Sequence, residues 1–103
     1  ALAIGRQALE DAAWSAAARE TLAQAAARLD AALAAAGLAV VGGTALFRLV
    51  EDRRAAAIFE TLCRHGILAR PFPERPQWLR FGLPPDAEAE ARLAHALREA
   101  TGR

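Results

Sequence analysis

A chain of 103 residues, 54% apolar and with a formal net charge of +1, can bury one modest core and has no long-range field toward nucleic acid or an acidic membrane. Its single cysteine, Cys63, excludes an internal disulfide and suits a reducing compartment; with only two histidines, distant in sequence (His65 and His95), no structural zinc site is expected. No stretch approaches the roughly 20 continuous apolar residues of a membrane span, and the opening residues lack the order of a signal peptide, so the expected setting is cytoplasmic. The sequence opens without methionine, which suggests a piece of a longer chain.

Residues 6–36 are rich in alanine, the strongest helix former, and contain no proline or internal glycine. Trp14, Ala18, Leu22, Ala25, Leu29, Leu33 and Ala36 recur at intervals of three or four and form one apolar stripe, with Glu20, Gln24 and Asp30 off it. Gly37 is a natural stop. A helix of about 30 residues at about 1.5 Å each is longer than the rest of so small a domain is wide. Part of the stripe should therefore lack a partner within this chain.

Short apolar runs at 38–41 and 45–50 predict strands, with Gly42-Gly43-Thr44 as a bulge or turn between them. Asp52 can cap a second helix over about 53–65, facing inward through Ala55, Ile58, Phe59 and Leu62, and Gly66 ends it. Runs 67–70 and 78–83 predict two more strands. Pro71, Pro73 and Pro76 lie at the end of the first run and between the two, and are expected to forbid regular structure there. Asp86 is the expected N-cap of a last helix facing inward through Ala89, Leu93, Ala96, Leu97 and Ala100. The order predicts an α+β domain: a long helix, then a small, mainly antiparallel sheet covered by helices on one face.

All thirteen basic residues are arginine, and the chain has no lysine. Two arginines sit in the short apolar strands on either side of the prolines. Arg80 lies mid-strand between Leu79 and Phe81, so it either faces solvent from a half-buried strand or reaches into a cleft as a bidentate clamp on a carboxylate. Arg70 precedes the prolines and fits either a loop-anchoring ion pair or a ligand contact. Arg75 reads as a solvated loop residue, His95 as a solvated helix residue, His65 as a complement to a helix C-terminus, and Cys63 as a small core or boundary residue. Asp86, Glu88 and Glu90 suit the first turn of a helix better than a catalytic pair. Gly42-Gly43-Thr44 lacks the lysine and strand-to-helix context of a phosphate loop. Arg6, Arg19 and Arg28 are too sparse for a nucleic-acid stripe, and no aromatic platform accompanies them. Spacing alone yields no base–nucleophile pair, metal cluster or cofactor loop.

Three segments together carry a resemblance: Gly42-Gly43-Thr44-Ala45-Leu46-Phe47-Arg48-Leu49-Val50, then Gly66-Ile67-Leu68-Ala69-Arg70-Pro71-Phe72, then Trp78-Leu79-Arg80-Phe81-Gly82-Leu83-Pro84. With the opening Ala1-Leu2-Ala3-Ile4-Gly5 and the long helix, the chain resembles the C-terminal small domain of fold-type I pyridoxal-phosphate (PLP) enzymes. Within that group it is most similar to the threonine-phosphate decarboxylases of cobalamin biosynthesis, with histidinol-phosphate aminotransferases as near relatives.

The resemblance implies that residues 1–103 are one small domain, with residues 1–36 as an interdomain helix region and 37–103 as the substrate-binding layer. It implies that Arg80 grips the substrate α-carboxylate and that Arg70 helps hold the anionic, O-phosphothreonine-like substrate, at its phosphate. It further implies a homodimeric parent whose missing large domain carries PLP on a lysine. A chain without lysine forms no internal Schiff base, so this fragment is expected to bind no PLP and to be inactive alone. Two other readings stand beside it: the small domain of a histidinol-phosphate-type aminotransferase, and a free-standing interaction or dimerisation module built on the helix stripe.

Overall fold

A computed structural model describes residues 2–102, with side-chain surroundings from residue 11 onward; Ala1 and the Arg6 side chain lie outside those limits. The chain runs α1 (Leu2–Ala35), β1 (Ala39–Thr44), β2 (Phe47–Glu51), α2 (Ala55–Arg64), β3 (Ala69–Phe72), β4 (Arg75–Gly82) and α3 (Ala87–Thr101). The expected α+β architecture is present: a four-stranded sheet in the order β1-β2-β4-β3, antiparallel at every pairing.

Glycine sets the helix ends by the same device twice. At α1, Gly37 takes φ 78°, its N–H donates to Ala34 O at 2.9 Å, and Leu38 N–H donates to Leu33 O at 3.0 Å. At α2, Gly66 takes φ 72°, with Gly66 N–H on Cys63 O at 3.0 Å and Ile67 N–H on Leu62 O at 2.9 Å. Both are left-handed glycine caps that satisfy the last helical carbonyls. Asp86 is the N-cap of α3, its Oδ1 accepting from Ala89 N–H at 2.8 Å, as expected. Asp52 instead builds a turn ahead of α2. Its Oδ1 accepts from Arg54 N–H at 2.7 Å and Arg54 becomes the cap residue, so the helix starts at Ala55 rather than Arg53.

Two expectations are corrected. Pro71 lies within β3 and Pro76 within β4, so regular structure survives both prolines. β3 is an edge strand, where a missing donor is tolerated. The β3–β4 register slips between Pro71 and Phe72, whose partners are Leu79 and Arg75, so Pro76 has no pairing duty toward β3. Likewise β1 continues through Gly42, Gly43 and Thr44. The bulge falls between Val40 and Gly42, and the hairpin turns at Ala45-Leu46, where Leu46 N–H donates to Thr44 Oγ1 at 3.1 Å.

The core sits between the sheet and the helices: Val50, Leu79 and Phe81 from the strands meet Leu29 and Leu33 of α1, Ile58 and Leu62 of α2, and Leu93, Ala96 and Leu97 of α3. Phe59 and Ala100 pack only partly against it, and Thr61 takes an inward place that period alone did not assign. Cys63 is exposed rather than a boundary residue. Ion pairs tie the long helix to this layer: Arg28 Nε to Glu90 of α3 at 2.7 Å, and Arg48 Nε to Asp30 at 2.6 Å. Toward its N-terminal end the stripe of α1 leaves the core. Leu22 and Ala18 are half-buried and Trp14 is 75% exposed.

Candidate functional site

Side chains alternate faces along a strand, so parity decides what each sheet residue meets. Val50, Leu79 and Phe81 point into the helix layer. The residues between them point the other way, and the registers place three in one row across three strands: Leu49 opposite Arg80, and Arg80 opposite Arg70. Directly opposed residues have β-carbons about 5 Å apart, so the two guanidinium groups start from neighbouring anchor points on the face without helices.

Arg80 is half-buried and Arg70 exposed. The Arg80 Cζ lies 4.9 Å from the centre of the ring of Phe47, a diagonal neighbour on β2, a cation–π contact that steadies the guanidinium beside the cleft. Leu46, Phe47, Leu68, Ala69, Arg70, Arg80 and Gly82 line an open cleft of about 410 Å³. No acid is among them. Neither Arg70 nor Arg80 makes an ion pair among the described residues. Like charges directly opposed on a sheet repel, so this pair is stabilised by whatever anion enters between them.

Arg48 shows what parity does to a neighbouring residue. One position along β2 from Leu49, it faces α1 and is fully engaged, with Nε and Nη2 on the two Asp30 carboxylate oxygens at 2.6 and 3.3 Å. Arg75 opens β4 rather than lying in a loop; it is exposed, as expected, with its Cζ 5.0 Å from the centre of the Trp78 ring. Phe47 and the exposed Leu46 and Leu68 were not singled out from the sequence. Phe47 could have been found by its period-2 relation to Leu49, whereas Leu68 reaches the cleft only through the pairing of β3 with β4.

The lining residues contain no carboxylate, imidazole, thiol, hydroxyl or amine, so the cleft as built by this chain can bind and orient an anion but supplies no acid, base or nucleophile. His65 closes α2 at its C-cap position, as its helix-end role predicted, and contacts Glu99 of α3. His95 is exposed, as expected, but it also meets His65.

No family model matches the chain. A threonine-phosphate decarboxylase from a Sinorhizobium species is 58% identical over 69 residues, covering 67% of this chain and 21% of the relative. A threonine-phosphate decarboxylase from Pseudomonas aeruginosa is 49% identical over 70 residues, covering 68% of this chain and again 21% of the relative. The chain thus spans about a fifth of the length of the curated relatives it matches, and the resemblance legible in its residues holds as a match to a fragment of threonine-phosphate decarboxylase.

Proposed function

We propose that this chain is the substrate-gripping small domain of a PLP-dependent threonine-phosphate decarboxylase, and that it is inactive apart from the rest of that enzyme. The observation that carries the reading is the direct cross-strand pairing of Arg70 with Arg80 in a cleft without acids. Two guanidinium forks on one strand pair suit a small substrate with two anionic groups. Arg80, held against Phe47, takes the α-carboxylate; Arg70, more exposed, takes the phosphate end.

PLP does not fit this chain's own residues. The cofactor is held covalently through a lysine, and the chain has none. What the chain contributes is orientation: a carboxylate gripped at Arg80 has a fixed direction, which selects the bond to be broken. The cofactor's chemistry belongs to the large domain of the parent, which is also where the projecting half of α1 would find its cover.

The test uses the longer parent protein. It is expected to release carbon dioxide from O-phosphothreonine and form aminopropanol phosphate without consuming 2-oxoglutarate. Consumption of 2-oxoglutarate would instead identify an aminotransferase of the histidinol-phosphate type. If the native protein proves to be a stable oligomer of 10.9 kDa chains, the catalytic reading fails and a dimerisation module remains.

A further inference from the structure

Two histidines far apart in sequence meet where the end of α2 passes α3. The His65 and His95 rings lie edge to face, their centres 5.5 Å apart and their planes at 78°. His65 Nε2 contacts Glu99 Oε2, and His95 and Glu99 share one face of α3 because they are four residues apart. One donor atom from each of the three residues lies within 4.8 Å of the others. The side chains of His65 and Glu99 are 25% and 49% exposed, so the cluster is open to ions from solution.

The backbone beneath the cluster is fixed. His65 N–H donates to Thr61 O and Leu62 O at 3.3 and 3.1 Å in the glycine-capped turn, and α3 is held against α2 through Ile58, Leu62, Leu93, Ala96 and Leu97. Two imidazoles and one carboxylate form a donor set for a borderline transition ion, and too oxygen-poor a set for calcium or magnesium. Zinc bonds of about 2.0–2.1 Å put neighbouring donors about 3.4 Å apart in a tetrahedron. The His65–Glu99 contact is closer than that and would open on binding, while the exposed His95 ring would turn toward the pair.

We propose that His65, His95 and Glu99 form a three-ligand surface site for a divalent transition-metal ion of the zinc class, with water completing the coordination. The site lies in the helix layer, on the opposite side of the sheet from Arg70 and Arg80, and stands independently of the substrate reading. Arg64 is the nearby charge that opposes a cation, so binding should be weaker than at a four-ligand structural zinc site.

The test is calorimetric titration of the 103-residue chain with zinc, paired with visible spectra of the cobalt complex. One ion per chain is expected, with affinity falling at least about tenfold in His95→Gln and in Glu99→Gln. Both replaced residues are exposed, and circular dichroism checks that the variants keep their fold. Cys63→Ser, which alters another exposed potential ligand on α2, is expected to bind as the unaltered chain does. Absence of stoichiometric binding, unchanged affinity in His95→Gln, or loss of binding in Cys63→Ser would each overturn the assignment.

Discussion

Arg48 and Arg80 sit on neighbouring strands of one sheet and meet opposite circumstances. Arg48 turns to the helix layer and is consumed by Asp30; Arg80 turns to the other face, lies on Phe47 and opposes Arg70. On the proposed function, Arg80→Ala in the parent enzyme is expected to lower turnover of O-phosphothreonine by about 10²-fold or more. Arg80→Lys should restore only part of it, because an ammonium keeps the charge and loses the fork. Steady-state kinetics of the two variants checks this, and a near-normal rate in the alanine variant would remove Arg80 from the site. Asp52 carries a pH-dependent prediction. The side-chain hydrogen bond from Arg54 lowers its pKa below the usual carboxylate value, against the opposing effect of burial. A lowered folded-state pKa means the contribution is present at neutral pH and disappears as pH falls through that lowered value. Asp52→Ala should cost about 1 kcal/mol at neutral pH, since it also frees the Arg54 N–H, and the gap to the unaltered chain should narrow on acidification. Urea unfolding at neutral and strongly acidic pH measures both values.

Among the elements, the β1–β2 hairpin depends on a glycine that period and propensity did not fully explain. Gly43 takes φ 146°, and a Cβ there would lie 2.4 Å from Phe47 O and 3.1 Å from the Arg48 Cα, both backbone atoms that cannot swing aside. Gly43→Ala is expected to destabilise the chain by about 1–3 kcal/mol and to disturb Phe47, the ring beneath Arg80. Thermal unfolding reads the first effect. The helix ends at Gly37 and Gly66 were legible because only glycine enters the left-handed conformation without strain. The prolines misled because their cost depends on position in the sheet, and neither the edge location of β3 nor the register slip beside Pro76 is written in local sequence. The buried half of the α1 stripe makes a simpler prediction. Leu33 has no exposed surface, and Leu33→Ala should cost about 2–5 kcal/mol, lowering the denaturant midpoint with little change in slope.

At the scale of the whole molecule, the long helix governs the shape. The chain measures 58 × 30 × 21 Å, and the 34 residues of α1, at about 1.5 Å each, account for nearly all of the longest dimension. Its apolar stripe is buried from Ala25 onward and open at Trp14. In Trp78→Phe, which leaves Trp14 as the sole tryptophan, acrylamide should quench the fluorescence of this chain freely. A variant of the longer parent in which Trp14 is likewise the one tryptophan kept should be protected and its emission shifted to the blue. Equal quenching in both would mean that the stripe has no covering partner there.

The sequence by itself determined the helices, their glycine stops, the Asp86 cap, the α+β class and the presence of two arginine-bearing strands. These follow from interactions within a few residues: propensity, period and the special backbone freedom of glycine. It also carried the resemblance to threonine-phosphate decarboxylase, because the ordered segments around Arg70 and Arg80 are a pattern of residues and not of contacts. Only the tertiary structure decided that Arg70 stands directly opposite Arg80, that Phe47 supports one of them, that Arg48 is spent on Asp30, and that His65 meets His95. Strand order and register are set by which apolar faces can be buried together, a property of the assembled core that no local stretch contains.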